Sequence, residues 1–228
     1  METKRFRLTH VGRELRSPCF ITLFLGEIMF KLLCSLLTLV GVFCGSISAS
    51  AANCTYELQK NSVVVGWTAF KTTQKTGVNG SFKTVVVAGK TEAKSLSDLI
   101  KGLTVSVDKA SVDTGNPARD KTLSDFFFSK LGNNISGKVK DLSEKDHSFH
   151  LALDFNGQKK DIAMKYDSKM EENFAATGSL DITQFGGTEA LSSLNAKCLD
   201  LHKGADGISK TWPEVVLNLT ATIKKICQ

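Results

Sequence analysis

Beyond residue 51 the chain has only three cysteines, with no Cys-x-x-Cys pair and no histidine cluster nearby. That spacing excludes the usual zinc-ligand patterns. The chain also lacks a Gly-x-Ser-x-Gly elbow, a P-loop, a His-Glu-x-x-His helix and an EF-hand loop. The commonest hydrolytic, nucleotide-dependent and calcium-binding chemistries therefore have no anchor in it. No Lys/Arg stripe is interleaved with aromatics, so nucleic acid is not an expected partner. No repeat or low-complexity tract occurs past residue 51. Histidine is scarce: His10 lies near the start, and His147, His150 and His202 follow. On a strand His147 and His150 would face opposite sides, which argues against a shared metal or a coupled base.

The one long apolar run, Leu32–Cys44, is too short to span a bilayer comfortably. It follows Lys31 and leads through small residues to Ala49-Ser50-Ala51. A basic residue, a short apolar core and an Ala-x-Ala site together read as a secretory signal peptide over residues 29–51, with cleavage after Ala51. The rival reading is a retained membrane anchor. Met29 directly precedes the signal, so residues 1–28 read as an N-terminal extension from a mis-called start codon. The expected mature part, residues 52–228, is of ordinary single-domain length, is exported to the periplasm or beyond, and has no stable membrane insertion.

Removing the leader changes the charge. Six of the 29 Lys/Arg and three of the 23 Asp/Glu precede Ala52, leaving 23 basic against 20 acidic residues, net +3. The pI of about 9.0 for the full chain thus overstates how basic the domain is. Cys54, Cys198 and Cys227 remain, and in an oxidising compartment they imply one disulfide and one spare thiol. Cys54–Cys227 is expected if the first and last strands are antiparallel neighbours in a closed sheet. Cys54–Cys198 is nearly as plausible, and both pairings stay open at this point.

What is present is alternation. Residues 62–70 are β-rich, and 78–87 follow after a short turn, as in a hairpin. Leu103, Val105 and Val107 share one face; Ile135, Gly137 and Val139 share another. Phe149, Leu151, Leu153 and Phe155 form the clearest apolar face, and Asn156-Gly157 then turns the chain into 158–166, a type I′ hairpin signal. The pattern continues through Phe174–Ile182 and Val215–Ile223. Helices are expected at 95–101, at 117–131 after Asn116-Pro117 and before Gly132, and at 183–201, loosened by Gly186-Gly187. This is a mainly all-β chain, an antiparallel barrel or sandwich of about eight strands with two or three short helices.

Ser106–Asp120, reading S-V-D-K-A-S-V-D-T-G-N-P-A-R-D, runs into Leu123-Ser124-Asp125-Phe126-Phe127. This block resembles the signature of the YceI-like family of secreted lipid-binding proteins. Ala176–Gly186 is similar to the family's A-T-G…D-F-G stretch, with Gln184 in place of the Asp, and Gly77–Phe82 is similar to its V-x-G-x-F strand. The histidine often found near the family's first strands is absent from 62–73, and the segment 198–212 is longer and more polar than usual. The resemblance covers most of residues 55–226. It implies an eight-stranded lipocalin-like antiparallel barrel whose lumen holds a long amphiphile, such as a polyisoprenoid, an isoprenoid quinone or a fatty amide.

With that fold, Phe82, Val105, Val107, Phe149, Leu151, Leu153, Phe155, Ile162, Met164, Phe174 and Leu217 would face inward and line a lipid site. Phe126-Phe127-Phe128 cannot all face one way on a helix, so two would pack on the barrel rim and one would touch ligand; Phe126 and Phe127 join the lipid-binding set. Arg119 and Asp120 are headgroup candidates at the mouth, Arg being the better bidentate partner. Alternatively their helix merely plugs one barrel end, with both charges solvated or locally paired. The expected function is a non-enzymatic carrier or sequestering protein without metal or organic cofactor, the bound lipid aside, and a homodimer stays open. Two alternatives remain: an enzyme on the barrel with His150 or Asp154 as base, and a structural or partner-binding domain whose core is filled.

Overall fold

A computed structural model describes residues 53–132, 135–167 and 172–228. The expected signal peptide at 29–51 and the extension at 1–28 lie outside the described residues. The elements, in chain order, are β1 (Cys54–Lys71), β2 (Thr76–Phe82), β3 (Val85–Ala88), β4 (Glu92–Ala93), α1 (Leu96–Ile100), β5 (Thr104–Val107) and β6 (Val112–Asp113). They continue with α2 (Pro117–Phe126), β7 (Ile135–Ser143), β8 (Ser148–Phe155), β9 (Gln158–Tyr166), β10 (Asn173–Asp181), α3 (Thr188–Lys197) and β11 (Thr211–Cys227).

All the ladders are antiparallel, in the order β3-β5-β7-β8-β9-β10-β11-β1-β2-β6. The two ends of that path are joined through the chain itself. Strands β2 and β3 are arms of one strand bent at Lys83-Thr84, and β5 and β6 are arms of a second, bent around the 3₁₀ turn Lys109–Ser111. The arms pair β2 with β6 and β3 with β5. Across the bend Lys83 N–H donates to Ser111 O at 2.9 Å and Asp108 N–H to Thr84 O at 3.2 Å. Counting each bent pair as one strand, eight antiparallel strands curl into a barrel, as the alternation and the resemblance lead one to expect.

Local sequence explains most of the joints. Asn156 and Gly157 both have positive φ, 53° and 72°, the backbone that a two-residue type I′ hairpin requires between β8 and β9. Asn116 caps α2 by accepting from the N–H groups of Ala118 and Arg119, with Pro117 in the first turn. The helix expected over 183–201 is divided. A 3₁₀ turn at Ile182–Phe185 ends at Gly186, in the left-handed region at φ 71°, before α3 begins. His147 falls in the turn before β8, not on the strand, and it and His150 are exposed.

The first and last strands are neighbours, with Cys54 opposite Cys227, and the two are joined in a disulfide across a sequence separation of 173. Cys198 is a buried free thiol, so the Cys54–Cys198 alternative does not occur. Beside the disulfide, α1 packs on β1, β4 and β7 and buries Leu99 and Ile100. At the other end α2 and α3 lie against each other.

Candidate functional site

The barrel interior is filled in one part and hollow in another. Phe149, Tyr166 and Phe174 form a ring cluster with centroids 5.7–6.5 Å apart, and Leu153, Ile162 and Met164 are buried in the same continuous core. Of the residues expected to line a lipid site, Phe149, Leu153, Ile162, Met164 and Phe174 are thus inward-facing but belong to packed core rather than to the cavity wall. Phe82, Val105, Val107, Phe127, Leu151, Phe155 and Leu217 do border an apolar cavity of about 130 Å³.

Phe126 borders neither the apolar cavity nor the chamber beside it. Helix α2 ends at this residue, and a 3₁₀ turn at Phe128–Lys130 follows, with Phe127 as the joint at φ −116° and ψ −65°. The change of pitch turns Phe127 and Phe128 into the cavity, their rings 5.1 Å apart, with Phe128 edge-on to Phe82 at 5.8 Å. Phe126 stays outside it, with the Lys197 ammonium 5.1 Å from its ring centre.

The remaining walls come from residues outside the expected lipid-site set. Trp67 and Leu219 stand on β1 and β11, Leu123 on α2, Leu191 and Leu194 on α3, and Trp212 at the start of β11. Trp67 was hidden because Val63–Trp67 is apolar at nearly every position, so parity there could not be read. Its neighbours resolve it: Val65 and Ala69 line the cavity with Trp67, while Val64 is 45% exposed. In α3 the i, i+3 spacing of Leu191 and Leu194 was a legible signal, with no partner surface to assign it to; Leu123 stands alone in α2.

A second chamber of about 340 Å³ adjoins the first and shares Trp67, Ala69, Leu123, Leu194 and Thr211 as walls. It is the polar end of the site. Lys71, Asn116, Arg119, Thr122 and His202 line it, and the exposure of Asn116, Arg119 and Leu201 marks it as the place where the lumen meets solvent. Lys71 Nζ donates to Leu201 O at 3.1 Å, tying the segment after α3 to the barrel. His202 Nδ1 lies 2.7 Å from Thr211 Oγ1, which also donates to Asn195 Oδ1 at 2.9 Å. Burial, then the nearby Lys71 charge, lowers the His202 pKa below its ordinary value and favours the neutral ring. Burial raises the Cys198 pKa, against the smaller pull of Lys197 and Lys71.

Arg119 and Asp120 separate in role. The Asp120 carboxylate accepts from the backbone N–H of Thr114 at 2.8 Å and from its hydroxyl at 2.6 Å. It pairs with neither Arg119 nor Lys121, whose ammonium meets Asp125 instead, so Asp120 anchors the turn before α2. Other polar residues of the 106–120 block are spent the same way. Asp108 accepts from Ala110 N–H, Asp113 from Gly115 N–H, and Asn116 caps α2. The Arg119 guanidinium borders the outer chamber and makes no ion pair or side-chain hydrogen bond among the described residues. His150 stands 3.9 Å from Asp141 and Asp154 3.7 Å from Lys159, both away from the two chambers. Among the described residues no three His, Cys, Asp or Glu side chains gather to hold a metal ion, and no helix is long and apolar enough to cross a membrane.

An apolar chamber joined to one that Lys71 and Arg119 border is a shape for an amphiphile: apolar surface is removed from water while a polar end meets the cations. Comparison with known proteins places the fold. A family model described as the YceI-like domain matches residues 56–222. The fold is similar to that of a polyisoprenoid-binding domain from Saccharophagus degradans implicated in plant cell wall breakdown, at 12% identity and TM-score 0.52, over 74% of this chain and 97% of that one. It also matches BcnA of Burkholderia cenocepacia, at 12% identity and TM-score 0.49, over 73% of this chain and 99% of that one. A Campylobacter jejuni YceI protein, in a mutant form carrying a monobromobimane guest, matches at 21% identity and TM-score 0.43, over 67% of this chain and 86% of that one. No curated protein sequence matches.

Proposed function

The chain belongs to the YceI-like family, and we propose that it is a binding protein that holds a long-chain, isoprenoid-type amphiphile, with the tail in the deep chamber and the head at the mouth. The observation that carries this reading is the continuous wall from the apolar cavity through Trp67 and Leu123 to Arg119 and Lys71. Burial contributes about 0.8 kcal/mol per CH₂, so a few isoprene units bind firmly without a strong polar anchor. A space of about 130 Å³ is comparable to engineered apolar cavities that take up one benzene-sized molecule. A longer tail therefore needs Leu151, Phe127 or Trp212 to change rotamer, or it continues into the outer chamber.

Export belongs to the same proposal. It rests on the leader-like residues 29–51 and is supported by the Cys54–Cys227 disulfide, since such bonds persist in oxidising compartments. The proposed role is carriage or sequestration: the one imidazole–hydroxyl contact at the mouth, His202 with Thr211, has its hydroxyl proton given to Asn195 and so ties the wall together. The test is extraction of the protein from its native host, with mass spectrometry of the organic phase. One amphiphile recovered in near-equimolar amount is the expected result. A protein that is lipid-free and takes up no prenyl alcohol would overturn the proposal in favour of a filled, structural core.

A further inference from the structure

The loop from α3 to β11 carries apolar side chains into solvent beside the mouth of the lumen. Among the described residues three of the six exposed large hydrophobics fall in the one short stretch 199–208: Leu199 at 49%, Leu201 at 71% and Ile208 at 56%. Leu201 also borders the outer chamber. The loop is a built element. Lys203 bridges Ser209, Gly204 N–H donates to Ile208 O at 3.1 Å, and Gly207 turns the chain at φ 75°. Thr73 Oγ1 donates to Asp206 at 2.6 Å and Lys71 Nζ to Leu201 O at 3.1 Å, which fastens the loop to the end of β1 and the turn after it. Single exposed apolar residues are ordinary, but three on one fastened loop at the mouth of a cavity mark an interaction surface.

Positive charge gathers at the same place. Ion pairs cancel Lys203 against Asp200 and Lys75 against Glu214. Lys71, Arg119, Lys197 and Lys210 then stand without an ion pair among the described residues. Against them is Asp206, whose carboxylate accepts from the Thr73 hydroxyl and the Ile208 N–H. This surplus of three positive charges equals the net charge of residues 52–228, so the rest of that stretch is balanced. An anionic surface is the complement of such a face, each cation held near it being worth roughly fivefold in partition. A fluid bilayer also takes up separated apolar side chains ringed by cations, without the matched relief that a protein partner has to supply.

We propose that the loop 199–208 and the cations around it dock the mouth on an anionic lipid bilayer, with Leu199, Leu201 and Ile208 entering the interface. The assignment rests on the lumen being a lipid site, and it names the surface with which the ligand is exchanged. Crossing water costs a long tail about fourfold in partition for every CH₂. A mouth seated on the bilayer lets the tail pass from one apolar phase to another, along the wall that Trp67 and Leu123 continue from the outer chamber to the inner one.

The experiment measures sedimentation of the protein with vesicles of phosphatidylcholine, alone or mixed with phosphatidylglycerol, as salt is raised. Parent and variants share one N-terminus, so any leader contributes equally. The parent should favour the anionic vesicles and leave them at high salt. Leu199→Asp and Ile208→Asp should each lower that partition about tenfold, by removing an inserted side chain and adding a repelled charge. Ile226→Asp adds the same charge at a residue 49% exposed, at the other end of β11 from Trp212, and should leave partition unchanged. A solvatochromic dye on Ile208→Cys, with Cys198 buried, should shift to the blue on anionic vesicles. Partition indifferent to lipid charge and salt, an unshifted dye, or an equal loss in Ile226→Asp overturns the docking surface while the lipid site stands. So does an absence of partition, which would assign the loop to a protein partner instead. These vesicles hold no prenyl lipid, so docking is read apart from the lumen. Ile208→Asp should keep the parent's affinity for farnesol in detergent solution and take it up more slowly from anionic vesicles. Failure of every form to take up farnesol would overturn the exchange together with the lipid-binding reading.

Discussion

Asp120 holds Thr114 by two hydrogen bonds, to its backbone N–H and to its hydroxyl, and so closes the turn between β6 and α2. A hydrogen bond to a charged group contributes about 1.5–3 kcal/mol net when buried, and less at a half-exposed turn. Asp120→Ala should lower stability by roughly 2 kcal/mol, read as a fall in urea midpoint at unchanged slope. Thr114→Val, which keeps the backbone donor, should cost less.

The adjacent Arg119 should behave in the opposite way. With no partner to lose, Arg119→Ala is expected to leave the stability within about 0.5 kcal/mol of the parent, as is usual at exposed positions. It should weaken binding of farnesyl diphosphate roughly tenfold while sparing farnesol, since only the former offers an anion for a charge-assisted bond. Equal losses for both ligands would remove Arg119 from the headgroup site.

Leu151 tests the cavity itself. It borders the empty space and leans over Gly137 of the neighbouring strand β7. Leu151→Arg should fold, because the long side chain can reach along the lumen toward the mouth, at a cost on the order of 3 kcal/mol. It should abolish lipid co-purification. Circular dichroism and lipid content, measured on one preparation, check both halves.

The pKa of His202 is lowered by burial and by Lys71. Its unfolded value is about 6.5, so as pH falls below that point the unfolded chain takes up the proton first and stability declines, levelling once pH passes the folded pKa. Urea midpoints at pH 7.5 and pH 5 should therefore differ more for the parent protein than for His202→Gln. Identical pH slopes would show that this ring contributes nothing to acid sensitivity.

Loss of the disulfide through Cys54→Ser with Cys227→Ser should destabilise by about 2–5 kcal/mol. Cys198, buried and with its thiol pKa raised, should resist alkylation until the protein unfolds, as peptide mapping would show.

The barrel was legible where the sequence is locally self-sufficient. Phe149–Phe155 alternates, Asn156-Gly157 fixes the turn, and Asn116-Pro117 announces α2. The first half of β1 was not, because residues 54–61 carry few apolar side chains and are strand through pairing with β11. The bends at Lys83-Thr84 and Lys109–Ser111 were equally silent, since they depend on each other across the sheet. The division of the lumen was least legible of all. Leu151 and Leu153 share a face and a residue type, yet only Leu151 borders the cavity, a difference that alternation along one strand cannot encode. Phe126 lies by Lys197, a partner chosen by tertiary geometry, whereas Asp120 is paired locally with Thr114, in keeping with one of the two readings the sequence left open.

Pairing of β1 with β11 also governs the order of folding. Until the last residues of β11 leave the ribosome or a translocation pore, β1 and β10 are open sheet edges without their neighbour. Strand edges of this kind invite pairing with other chains, and contacts this distant in sequence form slowly. The nascent chain therefore passes through a long interval in which it is adhesive and unsealed, and a holding chaperone is most useful to it from the emergence of β1 to the completion of β11.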